Sequence, residues 1–260
     1  MRCCVALATL GLALSGCGRP GTAPARPAGE SVAERGYVSP PAVSTAEAGP
    51  GGSVMLAGAA APTARVRLAN PAGEALYAQA DSRGTWRLTL PGASGARLLG
   101  LSMTLAGRSI QAEGYLAVAP GPLAAQLRAG SGAVALSRPE PGFAILAADY
   151  DSKGGAVLSG RAAPGAALTL SVDGTPRGMA RADAGGRFML PLNEPLTSGD
   201  HRLELSAGAQ RAEVPLTVSP APRPNPPPFA AAPVAGGWRF DWLTPGGGVQ
   251  TTILYGGAGR

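Results

Sequence analysis

Residues 54–105 and 156–207 are two copies of one pattern, and this repeat limits the possible folds more than any other feature of the chain. At a constant offset of 102 positions, Gly58 falls on Gly160 and Ala60-Ala61-Pro62 on Ala162-Ala163-Pro164. Val66 and Leu68 meet Leu168 and Leu170, and Asp81 and Gly84 meet Asp183 and Gly186. Trp86, Leu88 and Leu90 fall on Phe188, Leu190 and Leu192, while Leu101 and Met103 fall on Leu203 and Leu205. An ungapped match that keeps turn residues and apolar residues in step predicts two copies of the same folded unit.

Each copy reads as strands. Apolar residues recur at every second position in Trp86/Leu88/Leu90, Leu101/Met103/Leu105, Leu168/Leu170/Val172, Leu203/Leu205 and Val214/Leu216/Val218. That period turns one face to a core and the other to water. The breaks between runs have turn chemistry. Asp173-Gly174 is a hairpin signal, since glycine accepts a positive φ without strain. Asp81-Ser82-Arg83-Gly84 and Asp183-Ala184-Gly185-Gly186 put Asp first and Gly fourth, as a type I turn prefers. No sustained helical stripe follows residue 17, so the expected fold is all-β, with two tandem β-sandwich modules.

The second copy resembles bacterial immunoglobulin-like (Ig-like) repeats. The resemblance rests on Leu158-Ser159-Gly160-Arg161-Ala162-Ala163-Pro164-Gly165-Ala166, on Asp173-Gly174, on Arg181 to Phe188, and on Gly199-Asp200-His201-Arg202-Leu203. The first copy departs from it at Thr63 and at Asn70-Pro71-Ala72-Gly73, and joins it through its match to the second. The resemblance implies a seven-strand-type sandwich used for adhesion, spacing or binding at bacterial surfaces, and it does not imply an enzyme. A sandwich alone fixes no function.

The N-terminus reads as a leader. Arg2 supplies a positive charge, and Val5 to Leu14 form an apolar run shorter than the ~20 residues of a spanning helix. Leu14-Ser15-Gly16-Cys17 then resembles the lipobox of bacterial lipoproteins. That resemblance implies cleavage before Cys17 and acylation of Cys17 with palmitate-type chains. At ~0.8 kcal/mol per buried CH₂, more than one chain anchors stably. Gly18 stands where an Asp would signal inner-membrane retention, so the expected location is the outer membrane, periplasmic face. With Cys3 and Cys4 removed and Cys17 acylated, no thiol is left for catalysis, metal binding or disulfides.

The expected organisation is a signal peptide over 1–16, a disordered tether over 17–50, Ig-like module 1 over 51–140 and Ig-like module 2 over 141–219. A Pro-rich linker over 220–236 and a C-terminal β-hairpin over 237–260 complete it. The tether and linker follow from their proline, alanine and glycine content. In the hairpin, Trp238, Phe240 and Trp242 share one face, and Thr244 to Gly248 form the turn. An isolated hairpin is marginal in water, so this face covers something. It either docks on module 2 or anchors a partner, and aromatic residues suit both roles.

Little in the chain suggests catalysis or a cofactor. The net charge is +6, but the arginines are scattered singly and Lys153 is the only lysine, so no basic run marks a nucleic-acid partner. His201 is the only histidine and cannot complete an ordinary metal site. Asp149-Tyr150-Asp151 is read as a solvated turn, with calcium ligation as the alternative. The expectation is therefore no enzyme, no cofactor and no metal. It is instead a lipid-anchored envelope protein that binds an envelope or cell-wall partner, with glycan stacking on Trp238 and Trp242 as the alternative.

Overall fold

The computed structural model describes residues 38–121, 123–137 and 142–256. Cys17 and the apolar leader lie outside the described residues. Module 1 begins with β1 (Ala42–Ala48), β2 (Val54–Ala59), β3 (Arg65–Ala69), β4 (Ala75–Gln79), β5 (Thr85–Leu90), β6 (Arg97–Leu105) and β7 (Arg108–Gln111). It continues through β8 (Tyr115–Ala119), β9 (Leu123–Leu127) and β10 (Val134–Ala135). Module 2 is built from β11 (Ala144–Asp151), β12 (Ala156–Arg161), β13 (Ala167–Val172), β14 (Thr175–Arg181), β15 (Arg187–Pro191), β16 (Gly199–Ala207) and β17 (Gln210–Val218). Three more strands follow: β18 (Phe229–Val234), β19 (Gly237–Leu243) and β20 (Val249–Tyr255).

The offset of 102 holds strand by strand. In each module a three-strand sheet, β1-β2-β5 or β11-β12-β15, faces a second sheet, β4-β3-β6-β7 or β14-β13-β16-β17. This makes two tandem Ig-like sandwiches, although the fourth strand joins the second sheet instead of the first, unlike an antibody constant domain. Registers repeat as well. Leu56 opposes Leu88 as Leu158 opposes Leu190, and a bulge follows Val43 as one follows Ile145. The alternating residues fill the cores: Val66, Leu68, Trp86, Leu101 and Met103 in module 1, and Leu168, Leu170, Phe188, Leu203 and Leu205 in module 2.

The predicted turns form as their residues require. One Asp81 oxygen accepts the N–H groups of Arg83 and Thr85 at 2.8 and 2.9 Å, and Asp183 accepts those of Gly185 and Arg187 at the same distances. Asp173 and Gly174 both have positive φ, 50° and 79°, which gives the β13–β14 hairpin its two-residue connection. Gly58 and Gly160 are fixed by crowding. A Cβ on either would lie 2.0 or 2.1 Å from the carbonyl of Ala42 or Ala144, and under 3 Å from the Trp86 or Phe188 ring.

Three expected boundaries are corrected. The tether was expected to run through residue 50, but Ala42–Ala48 is already the first strand of module 1. Its alternation is hidden because only Val43 and Ala46 are buried and the bulge between Val43 and Thr45 breaks the period. The linker expected over 220–236 includes a strand, β18, which pairs with β19. The expected C-terminal hairpin is thus the inner part of a three-strand meander, hydrogen-bonded through β20 to β11. An unpaired β11 would be an open sheet edge, and the meander covers it.

Candidate interface at the module junction

The two modules differ after their sixth strand. In module 2, β17 pairs with all nine residues of β16. In module 1 the corresponding strand is interrupted. β7 pairs with one end of β6, the chain turns at Gly114 (φ 69°), and β8 pairs with Arg97 to Leu99 at the other end. β9 and β10 then widen this sheet. Module 2 is widened on its other sheet, by β20, β19 and β18. The two extensions meet.

Their contact is a third apolar core. Leu98, Ala117, Ala119, Ala125, Leu127 and Ala133 come from module 1, and Ala147, Phe240, Trp242 and Leu254 from module 2 and its meander. The alanines of β8 and β9 form a shallow face, and the large β19 rings fill the space above it. Phe240 and Trp242 are both 0% exposed. Tyr115 meets Trp242 edge-on at 6.0 Å between ring centroids, and Phe229 stacks beside Phe240 at 6.4 Å. Trp238 is half-buried at the rim of this core.

The expected aromatic face therefore exists, but what it covers is corrected. Phe240 and Trp242 neither dock on the core of module 2 nor face a partner; they seal module 2 against module 1. The opposite face of β19 is polar. Arg239 pairs through Nε with both oxygens of Asp241, at 2.9 and 3.0 Å, and donates to Ser219 Oγ at 2.5 Å, tying the meander to the end of β17.

A buried carboxylate closes the junction. Asp149 accepts the Thr252 hydroxyl at 2.5 Å and the Gln250 amide at 3.3 Å through one oxygen, and the Ala133 N–H at 2.7 Å through the other. Gln250 in turn accepts the Gly130 N–H at 3.2 Å, and Trp242 Nε1 donates to Thr252 Oγ1 at 3.1 Å. Ser159 donates to the Ala133 carbonyl at 2.6 Å. The β9–β10 segment of module 1 is thus held by β11, β12 and β20. Burial pushes the Asp149 carboxyl up to about 6, against the pull of the Thr252, Ala133 and Gln250 hydrogen bonds.

Asp149-Tyr150-Asp151 is not the solvated turn expected. Asp149 enters the junction, the Tyr150 hydroxyl donates to the Thr217 carbonyl at 3.3 Å, and only Asp151 caps a turn, accepting the Lys153 and Gly155 N–H groups. The Asp149 oxygens are taken by Thr252, Gln250 and Ala133, and Asp151 Oδ1 by the Lys153 and Gly155 N–H groups, so the two carboxylates share no common partner. Among the described residues, no group of three or more His, Asp or Glu could hold a metal. His201 Nδ1 lies 2.8 Å from Asp173, and Nε2 lies 2.8 Å from the Thr197 carbonyl. The Thr197 carbonyl, then the Asp173 carboxylate, raise its pKa above 6.5.

The sequence placed Asp149 in a solvated turn and gave no role to its partners Gln250 and Thr252. One signal was available: Phe143 to Tyr150 is apolar at every position but Asp149, as in a strand buried on both faces, and a charge in such a run needs partners.

No protein-family model matches the chain, and no curated protein matches it. Solved structures similar to it include "Biofilm associated protein - BSP domain", at 15% identity and a TM-score of 0.25, over 71% of this chain and 30% of that one. The chain thus spans less than a third of that structure's length. Another is "Central Fibronectin-III array of RIM-binding protein", at 13% identity and a TM-score of 0.25, over 84% of this chain and 89% of that one. Neither likeness specifies an activity or a partner for this chain.

Proposed function

We propose that the chain is a lipid-anchored cell-envelope protein, held through Cys17 at the periplasmic face of the outer membrane, with a structural or protein-binding role. The observation that supports a structural role is the junction core. Two sandwiches joined only by a linker would move independently, whereas here Phe240, Trp242 and the Asp149 network bind them into one body. A body of this kind suits holding a partner at a set distance and orientation from a membrane. The lipobox-like Leu14-Ser15-Gly16-Cys17 supports the anchor. The glycan alternative required an exposed pair of indoles, and Trp242 is fully buried.

Two experiments test this reading. Metabolic labelling with a palmitate analogue should mark the wild-type chain in the outer-membrane fraction, and Cys17→Ser should lose both label and membrane association. A Cys17→Ser chain that stays membrane-bound would overturn the anchor. Crosslinking in intact cells should recover a specific envelope partner, and a chain that crosslinks to none would overturn the protein-binding part.

A further inference from the structure

Four arginines that are far apart in the sequence line one cleft. Arg128 comes from the end of β9, Arg161 from β12, Arg181 from β14 and Arg187 from β15, around a cavity of about 470 Å³ between module 1's β10 and the outer face of module 2. Among the described lining residues Asp183 is the only carboxylate, and its Oδ1 is engaged by the Gly185 and Arg187 N–H groups. Among the described residues, Arg128, Arg181 and Arg187 make no ion pair; Arg181 donates to the Gly165 carbonyl at 2.6 Å, and Arg128 Nε is buried without a hydrogen-bond partner.

Two of the four arginines, Arg161 and Arg187, face each other across one strand pair, and like charges placed so are destabilising. Nor does the repeat require it: module 1 carries Ala59, Gln79 and Thr85 where module 2 carries Arg161, Arg181 and Arg187, and folds the same strands. The positive charge therefore belongs to the cleft at the junction and not to the sandwich design.

We propose that this cleft binds a ligand bearing phosphate groups. A carboxylate has two coplanar oxygens, which one arginine fork can occupy, whereas the oxygens of a phosphate radiate and can accept from several forks at once. Guanidinium groups brought in from four strands or strand ends suit the second geometry. A cavity of this size also exceeds a single phosphate, which favours a ligand with two or more. The site is independent of lipid anchoring at Cys17.

Calorimetric titration of the full chain in chloride buffer tests the proposal, with pyrophosphate, glutarate, phosphatidic acid vesicles and phosphatidylcholine vesicles as probes. Pyrophosphate should bind, and glutarate should bind at least about tenfold more weakly. Arg181→Gln and Arg187→Thr install module 1's residues at matching strand positions. Each should weaken pyrophosphate binding by about tenfold or more with an unchanged circular dichroism spectrum. Arg108→Gln, an equal loss of charge on exposed β7, should leave binding unaltered. Binding to phosphatidic acid but not phosphatidylcholine vesicles, displaced by pyrophosphate, would assign a lipid headgroup as the source; pyrophosphate binding without vesicle binding would assign a free phosphate compound. No pyrophosphate binding, equal binding of glutarate, or an equal loss in Arg108→Gln would overturn the proposal.

Discussion

At the residue scale, two groups link stability to pH with the same sign. The folded-state pKa of Asp149, about 6, lies above its ordinary value of 3.8, so the folded chain holds this proton more tightly than the unfolded one. Its contribution is greatest below the unfolded value and is lost as pH rises through about 6. His201, raised above 6.5, likewise contributes most below that value and loses its contribution as pH rises through its folded pKa. Asp81 and Asp173 are lowered, chiefly by backbone N–H groups, and lose their contribution only as pH falls through their folded values below 3.8. Thermal melts should therefore show stability increasing as pH falls from about 8 to about 5. Asp149→Asn should remove the lower part of that slope, and His201→Gln the upper part. A wild-type melting temperature that falls over this range would contradict the assignment.

Gly58 and Gly160 are a second test at this scale. Neither has positive φ; each lacks a side chain because a carbonyl and an aromatic ring occupy the space. Gly58→Ala and Gly160→Ala should each destabilise by about 1–3 kcal/mol, the usual cost of overpacking, measurable by urea denaturation. Equal effects in the two modules would show that the repeated contact is also repeated energetically.

At the element scale, the meander β18–β20 decides how the modules relate. It supplies the rings that close the junction and covers the edge of β11. Phe240→Ala or Trp242→Ala should cost about 3–5 kcal/mol, as for large buried aromatics elsewhere. Trp242→Phe keeps most of the ring and loses the N–H donated to Thr252, so it should cost only about 1 kcal/mol beyond the lost area. Denaturant midpoints would separate the two cases. A Trp242→Ala chain as stable as wild type would show that the junction core contributes little.

For the whole molecule, the shared core predicts shared cooperativity. Calorimetry should give one unfolding transition for residues 38–256, with calorimetric and van't Hoff enthalpies equal. The double change Phe240→Ala and Trp242→Ala should split it in two, because the sandwich cores centred on Trp86 and Phe188 are separate. Two transitions in the wild-type chain would mean that the modules unfold independently despite their contact.

The repeat, the period-two alternation and the Asp/Gly turns were legible in the sequence because they are local. Each strand's face and each turn's φ is set within a few residues, and a copy 102 positions away repeats the same local choices. The aromatic face of Trp238, Phe240 and Trp242 was legible for the same reason. What that face covers was not, since the partner surface is a run of alanines in β8 and β9 that resembles any other small-residue stretch. Strand β1 and the partners of Asp149 were hidden for a related reason: Ala42–Ala48 is a strand because β2 pairs with it, and Thr252 reaches Asp149 across 103 positions. The arginine cleft belongs wholly to tertiary structure. Single arginines on separate strands carry no sign of convergence until two modules pack and bring their ends together.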